Sequence, residues 1–268
     1  MKKSMTAVAA CMIAGMVSAQ ITSQNIVGYQ NVPLTQNGFT ATCSTLAPIG
    51  MTGGTMTLGD IAANEFFAPF EDSIQIFDAA GALVVEATYV SQAFLDAYEL
   101  TGYDAGWYDL NDLEMTGGTL NSTVLAFGQS MTVFTGYEGA TLMYVGEVVQ
   151  DTETLTLPLT QNGFTALGNA SPVELTLGDI TANENFAPFE DSIQIFNAAG
   201  ALVVEATYVS QAFLDAYELT GYDAGWYDLN DLEMTGGTLN ATVMPAGQGM
   251  TVFTGYAGAA IIIPNPVQ

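Results

Sequence analysis

The densest group of side chains that could do chemistry is an acidic, aromatic segment that occurs twice, at residues 103–114 and 222–233. Calcium takes six to eight oxygen ligands, and carboxylates supply them. The spacing is not that of an EF-hand loop. The segments nevertheless predict one candidate Ca²⁺ site in each copy, and the predicted ligands are Asp104, Asp109, Asp112, Glu114, Asp223, Asp228, Asp231 and Glu233.

Two other interpretations of the same segments stay open. The aromatic residues could form a platform on which a sugar ring stacks. In the third interpretation the segment is a solvated loop whose tryptophan fills the core. The candidate stacking residues are Trp107, Tyr108, Trp226 and Tyr227.

Basic side chains are almost absent from the chain. Its 268 residues include 28 carboxylates, no histidine and two basic residues, Lys2 and Lys3, which gives a formal net charge of −26. Serine- and cysteine-hydrolase, kinase and nucleotide-loop chemistry lack the residues they need, as does a zinc site. Nucleic acids and anionic membrane surfaces bind clustered Lys or Arg. We therefore expect neither an enzyme nor a protein that binds those partners.

Carboxylate chemistry is the enzymatic class that composition leaves open. Glycoside hydrolysis needs two carboxylates about 5–9 Å apart. Spacing along a sequence does not define such a distance. We expect no catalytic residue and no cofactor other than the candidate Ca²⁺.

The first residues have the pattern of an export signal. Lys2 and Lys3 precede an apolar stretch over residues 5–16, and small residues follow up to Ala19. This order is typical of a signal peptide, which predicts a leader over residues 1–19 cleaved near Ala19 and Gln20. The mature protein is then expected to be secreted or at the cell surface. Cys43 would be its one cysteine, and a lone thiol cannot form an intrachain disulfide.

An internal duplication organises the rest of the chain. Residues 57–137 align without a gap on residues 176–256, and the two segments differ at eight of 81 positions. A unit of this size can enclose its own core. We therefore predict two β-domains, at residues 20–149 and 150–268.

Local patterns within each unit favour strands. Ser73–Phe77 and Ala82–Val90 flank a short turn and predict a hairpin. Met131–Thr135 and Ala140–Val145 predict another strand pair. Thr57–Ile61 is typical of a short helical turn capped by Thr57. Ser91–Leu100 is ambiguous, although its apolar residues fit one face of a helix that would end at Gly102. The predicted fold is all-β: two tandem, near-identical small β-sandwich or partly open barrel domains, each with one or two helical turns.

A sequence frame spans almost all of the first unit. It reads N-x-V-G-Y, G-F, G-W and G-E-V, at residues 25–29, 38–39, 106–107 and 146–148. The chain resembles an uncharacterised family of secreted bacterial β-domain proteins built on this frame. The second unit departs from it at both ends. The resemblance implies an exported β-domain and carries over no catalytic residue.

Two large aromatic residues distinguish the copies. Phe66 and Phe127 of the first unit are replaced by Asn185 and Ala246 in the second. We expect Phe66 and Phe127 to contact each other or to line one exposed apolar patch.

The sequence thus predicts a non-catalytic exported structural protein of the cell surface or extracellular matrix, with self-association as the expected interaction. A chain without Lys, Arg or His after Lys3 has no trypsin-type cleavage site. The alternative is a tandem adhesin module that binds Ca²⁺ or a polysaccharide, in which two copies add avidity.

Overall fold

The computed structural model describes residues 27–47, 56–149 and 153–265. The predicted leader and its cleavage site lie outside these ranges. The described residues before 150 are called repeat 1, and those from 153 onward are called repeat 2. The fold is all-β with short helical segments, which confirms the predicted class.

Each repeat contains ten strands, and each strand of repeat 1 has a counterpart in repeat 2. Repeat 1 comprises β1 (Val27–Pro33), β2 (Gly38–Cys43), β3 (Met56–Thr57), β4 (Ile61–Ala63), β5 (Ser73–Phe77), β6 (Leu83–Val90), β7 (Gly106–Asp109), β8 (Val124–Leu125), β9 (Ser130–Thr135) and β10 (Thr141–Glu147). Repeat 2 comprises β11 (Thr154–Pro158), β12 (Gly163–Gly168), β13 (Leu175–Thr176), β14 (Thr181–Ala182), β15 (Ser192–Phe196), β16 (Leu202–Val209), β17 (Gly225–Asp228), β18 (Val243–Met244), β19 (Gly249–Thr254) and β20 (Ala260–Pro264).

The strands of each repeat form two antiparallel layers. In repeat 1 the larger sheet has the order β2-β9-β5-β6-β7 and the smaller has the order β1-β10-β4, with β3 and β8 as a separate two-stranded ladder. Repeat 2 has the same arrangement, β12-β19-β15-β16-β17 against β11-β20-β14, with the ladder β13-β18. Strands β2 and β12 are therefore edges of the two larger sheets.

One predicted strand pair is wrong. The expected strands near 131–135 and 140–145 form as β9 and β10, but β9 pairs with β2 and β5, whereas β10 pairs with β1 and β4. The connection between β9 and β10 does not form a hairpin turn, because its two ends are hydrogen-bonded to the segment between β4 and β5. Gly136 N donates to Asp72, and Asn64 Nδ2 donates to Gly139 O. The chain crosses from one layer to the other at this point.

A separate apolar core fills the space between the layers of each repeat. In repeat 1 it includes Ile74 and Val133 from the larger sheet and Leu142 and Tyr144 from the smaller one. Repeat 2 has the equivalent core. Burial of this apolar surface is the main driving force for forming each sandwich.

The short edge strand β7 lies between two cores. Successive strand residues point to opposite faces, so Trp107 enters the main core and Tyr108 enters a smaller core beside Leu95. Trp107 Nε1 donates to Ile61 O at 2.8 Å, and the Tyr108 hydroxyl donates to Asp104 O at 2.6 Å. Both polar tips of this pair are thereby satisfied.

Short helical segments connect some of the strands. The helices are α1 (Gln92–Ala97) and α2 (Gln211–Ala216), and 3-10 turns span Leu58–Asp60 and Leu177–Asp179. Ser91 caps α1 by accepting from Phe94 N at 3.2 Å. Among the described helices, none has the length and apolar character needed to cross a membrane.

A fully buried carboxylate connects two turns in each repeat. Asp72 accepts from Ala68 N at 2.9 Å, from Thr135 Oγ1 at 2.8 Å and from Gly136 N at 2.9 Å. Asp191 makes the three equivalent bonds in repeat 2. The described residues contain no Lys, Arg or His, so hydrogen-bond donors stabilise each buried charge.

Replacing Asp72 with alanine is expected to lower the free energy of unfolding by about 2–4 kcal/mol, because it leaves buried donors without an acceptor. Urea denaturation followed by far-ultraviolet circular dichroism measures the change. Asp96→Ala, at an exposed position of α1, is the matched control and should change it by less than about 0.5 kcal/mol. Equal stability of the two variants would contradict the role assigned to Asp72.

Candidate functional site: the cleft between the repeats

The hairpin of β5 and β6 ends in a tight turn that extends beyond its own repeat. Asp78 Oδ1 accepts from Ala80 N at 2.9 Å and from Ala82 N at 2.8 Å. Gly81 has a φ of 76°, a conformation that glycine adopts without strain. This turn presents Ala79 at its tip.

Each hairpin tip binds the edge strand of the other repeat. Ala79 O accepts from Phe164 N at 2.8 Å, and Ala198 O accepts from Phe39 N at 2.8 Å. These contacts are related by a pseudo-two-fold axis, because each residue is the counterpart of the one on the other side. The interface is therefore isologous, like that of a homodimer.

The far ends of the same edge strands are also closed by the other repeat. Cys43 N donates to Gly247 O at 2.8 Å, and Gly168 N donates to Gly128 O at 3.0 Å. An unpaired edge strand invites association with other chains. Here β2 and β12 each donate to the other repeat at both ends.

The repeats also pack closely where Cys43 meets Gly168. The Cys43 side chain is fully buried, and burial raises the pKa of its thiol to about 12. A Cβ placed on Gly168 would lie 2.5 Å from Cys43 Sγ and 2.7 Å from Gln248 O. The space at this contact therefore holds the Cys43 side chain of repeat 1 and leaves no room for a side chain at Gly168 of repeat 2.

Four of the eight differences between the copies fall at this boundary. The residues that differ line the spaces between the repeats, and the pairs are Asp78 and Asn197, Ala126 and Pro245, Phe127 and Ala246, and Ser130 and Gly249. Repeat 1 therefore packs against a surface that is related to its own but differs from it.

A cleft with a volume of about 260 Å³ lies between the repeats. Four phenylalanine rings line it, and each is between 37% and 40% exposed: Phe39, Phe77, Phe164 and Phe196. Asp78, Asn197 and several small residues complete the wall. A concave, mostly apolar space at a domain boundary is a common place for a ligand site.

The local structure positions these rings. Phe39 packs against Phe134 of the neighbouring strand with a centroid distance of 5.4 Å, and Phe164 packs against Phe253 at 5.3 Å. A register shift between Ile76 and Phe77 re-aims the end of β5. This cleft was not predicted from the sequence. Its signal was a phenylalanine next to a turn at matching positions in both copies.

The predicted Ca²⁺ ligands do not converge on one point, and Asp109 and Asp112 accept hydrogen bonds from their own loop. Asp112 accepts from Gly117 N at 2.6 Å, which lowers the pKa of its carboxyl, and Asp109 accepts from Asn111 N at 2.8 Å. Asp231 and Asp228 do the same in repeat 2.

The backbone carbonyl oxygens of the other four predicted ligands accept hydrogen bonds from tyrosine hydroxyls. These four residues are Asp104, Glu114, Asp223 and Glu233. The described residues contain no group of three or more Cys, Asp or Glu arranged to hold a metal. Calcium binding stays a prediction, which melting with millimolar Ca²⁺ against EGTA would measure.

The predicted sugar-stacking platform is wrong. Trp107, Tyr108, Trp226 and Tyr227 are all buried, with at most 2% of each side chain exposed. A sugar ring cannot reach the face of a ring that is packed inside the core. Strand alternation in β7 and β17 explains the result, because both faces of these strands are covered.

The predicted contact between Phe66 and Phe127 is also wrong. Phe127 is half-buried and packs against the core of repeat 2, near the start of β9. Phe66 is exposed beside Gly139, beyond the end of β9. The length of β9 separates the two rings, so they do not share a patch.

No protein-family model and no curated protein matches the chain. Among solved structures, the chain is similar to the crystal structure of the major capsid protein P2 from Bacteriophage PM2. The match has 11% sequence identity and a TM-score of 0.22, and it covers 88% of this chain and 95% of that chain. A likeness at this level assigns no function.

Gly168→Ala is expected to lower the free energy of unfolding by about 1–3 kcal/mol, because the added methyl group would lie too close to Cys43 Sγ of repeat 1 and to Gln248 O of its own repeat. Gly255→Ala is the matched control, since a Cβ there meets nothing within 4 Å. Chemical denaturation measures both. A Gly168→Ala protein as stable as the control would show that the repeats do not pack as described.

Proposed function

We propose that this chain is a non-catalytic exported structural protein of the cell surface or extracellular matrix. The observation that carries the proposal is the use of its carboxylates as structural acceptors. Asp72 and Asp191 are buried and connect turns. Asp60 accepts from Thr57 N at 2.8 Å and so holds the start of a 3-10 turn.

The joining of the two repeats supports the same proposal. Each sandwich has its own core, and each protects an edge strand of the other. The result is a block in which one edge strand of each larger sheet, β2 or β12, is hydrogen-bonded to the other repeat of the same chain. Such a block suits a protein that must persist outside the cell and that offers trypsin-type proteases no cleavage site after Lys3.

Self-association between copies is the expected mode of action. The net charge of −26 opposes assembly at low ionic strength. Salt screens such repulsion over about 8 Å at 0.15 M. The adhesin alternative is weaker, because the rings expected to stack on a sugar are buried.

We expect the protein to be a major component of the surface or matrix fraction of the cell that makes it, as measured by quantitative mass spectrometry after digestion at acidic residues. We also expect the purified protein to form larger assemblies as NaCl is raised from 20 to 500 mM, as seen by sedimentation and electron microscopy. A trace protein that stays monomeric at every salt concentration would contradict the proposal.

A further inference from the structure

We propose that the cleft between the repeats binds a small alkylated ammonium cation. This inference does not depend on the structural role proposed above. It rests on the four phenylalanine rings, on the carboxylate of Asp78 and on the charge of the surrounding protein.

The electrostatics of the cleft favour a positive ligand. Asp78 is part of the wall, and the described residues contribute no Lys, Arg or His anywhere. The whole chain has a net charge of −26. A negatively charged ligand would meet repulsion without a compensating group, whereas a cation would meet one nearby carboxylate and a negative field.

The rings select an alkylated cation over a hydrated metal ion. An aromatic face carries partial negative charge, and it attracts cations that lie within about 6 Å of the ring centre. Methyl groups on nitrogen weaken hydration and make apolar contact with Phe39, Phe77, Phe164 and Phe196. A set of such rings is the usual means by which proteins recognise quaternary ammonium groups.

The volume of the cleft fits this class of ligand. An engineered cavity of about 150 Å³ holds benzene, which has six heavy atoms. The cleft has about 260 Å³, so it has room for a cation of similar size, such as tetramethylammonium or choline.

The charged residue of the cleft wall, Asp78, corresponds to Asn197 in the other repeat. Because the two side chains have nearly the same shape, exchanging them tests the effect of charge alone. Asn197 Oδ1 accepts from Ala199 N at 3.0 Å and from Ala201 N at 3.0 Å, as Asp78 Oδ1 does at its own turn. The turn therefore forms with either residue. Asp78→Asn and Asn197→Asp change the charge of the cleft and retain its fold.

The experiment measures binding of choline and tetramethylammonium to the full chain by NMR titration, with 3,3-dimethylbutan-1-ol as the neutral isostere of choline. We expect millimolar binding of both cations, at least tenfold weaker binding of the neutral alcohol, and loss of cation affinity as NaCl is raised to 500 mM. Binding of the alcohol as tight as that of choline would overturn the proposal, and so would absence of cation binding.

The variants locate the site. Asp78→Asn is expected to weaken cation binding about threefold to fivefold, and Asn197→Asp to strengthen it by a similar factor. Phe39→Ala and Phe196→Ala should each weaken it about twofold to fivefold. The controls are Asp96→Asn, which removes one charge outside the cleft, and Phe66→Ala, which removes an exposed ring outside it. Equal effects of the cleft and control variants would overturn the assignment.

Discussion

The structure depends on how two sheet edges are closed. Strands β2 and β12 are edges of five-stranded sheets, and the outward backbone groups of an edge strand need partners. The duplication supplies them, because each repeat presents a hairpin tip and a loop to the edge of the other. The cleft, the burial of Cys43 and the close approach at Gly168 all follow from this reciprocal arrangement.

A second constraint is the absence of cationic side chains from the described residues. A buried carboxylate must then be stabilised by N–H and O–H donors alone, and Asp72 shows how three donors from two turns achieve this. The same bonds direct the chain from one layer of the sandwich to the other. The amino-acid composition thus affects the topology. Among the described residues, Asp72 has no cationic side chain to pair with, and it accepts the hydrogen bonds that hold the connection between the two layers.

Local sequence patterns predicted where strands and helical turns form better than they predicted which strands pair. The hairpin of β5 and β6, the short helical turn at Leu58–Asp60 and the all-β class follow from turn residues and strand alternation. The pairing of β9 with β2 and β5 does not, because it involves long-range contacts such as the hydrogen bond that Asp72 accepts from Gly136 N, 64 positions away. The burial of Trp107 agrees with the interpretation in which the tryptophan fills the core, whereas the burial of Tyr108 on the opposite face of β7 does not follow from the sequence. The cleft was missed for a related reason, since its wall combines residues from both copies.

The most direct test of the docked arrangement is hydrogen exchange, measured by NMR, at the amides of Phe39, Cys43, Phe164 and Gly168. These amides donate to the other repeat. The structure predicts protection of at least about a hundredfold over exposed loop amides, equivalent to an opening free energy of about 2.7 kcal/mol. Exchange of all four at the rate of loop amides, while the amides of β9 stay protected, would show that the repeats fold without docking and would contradict the account.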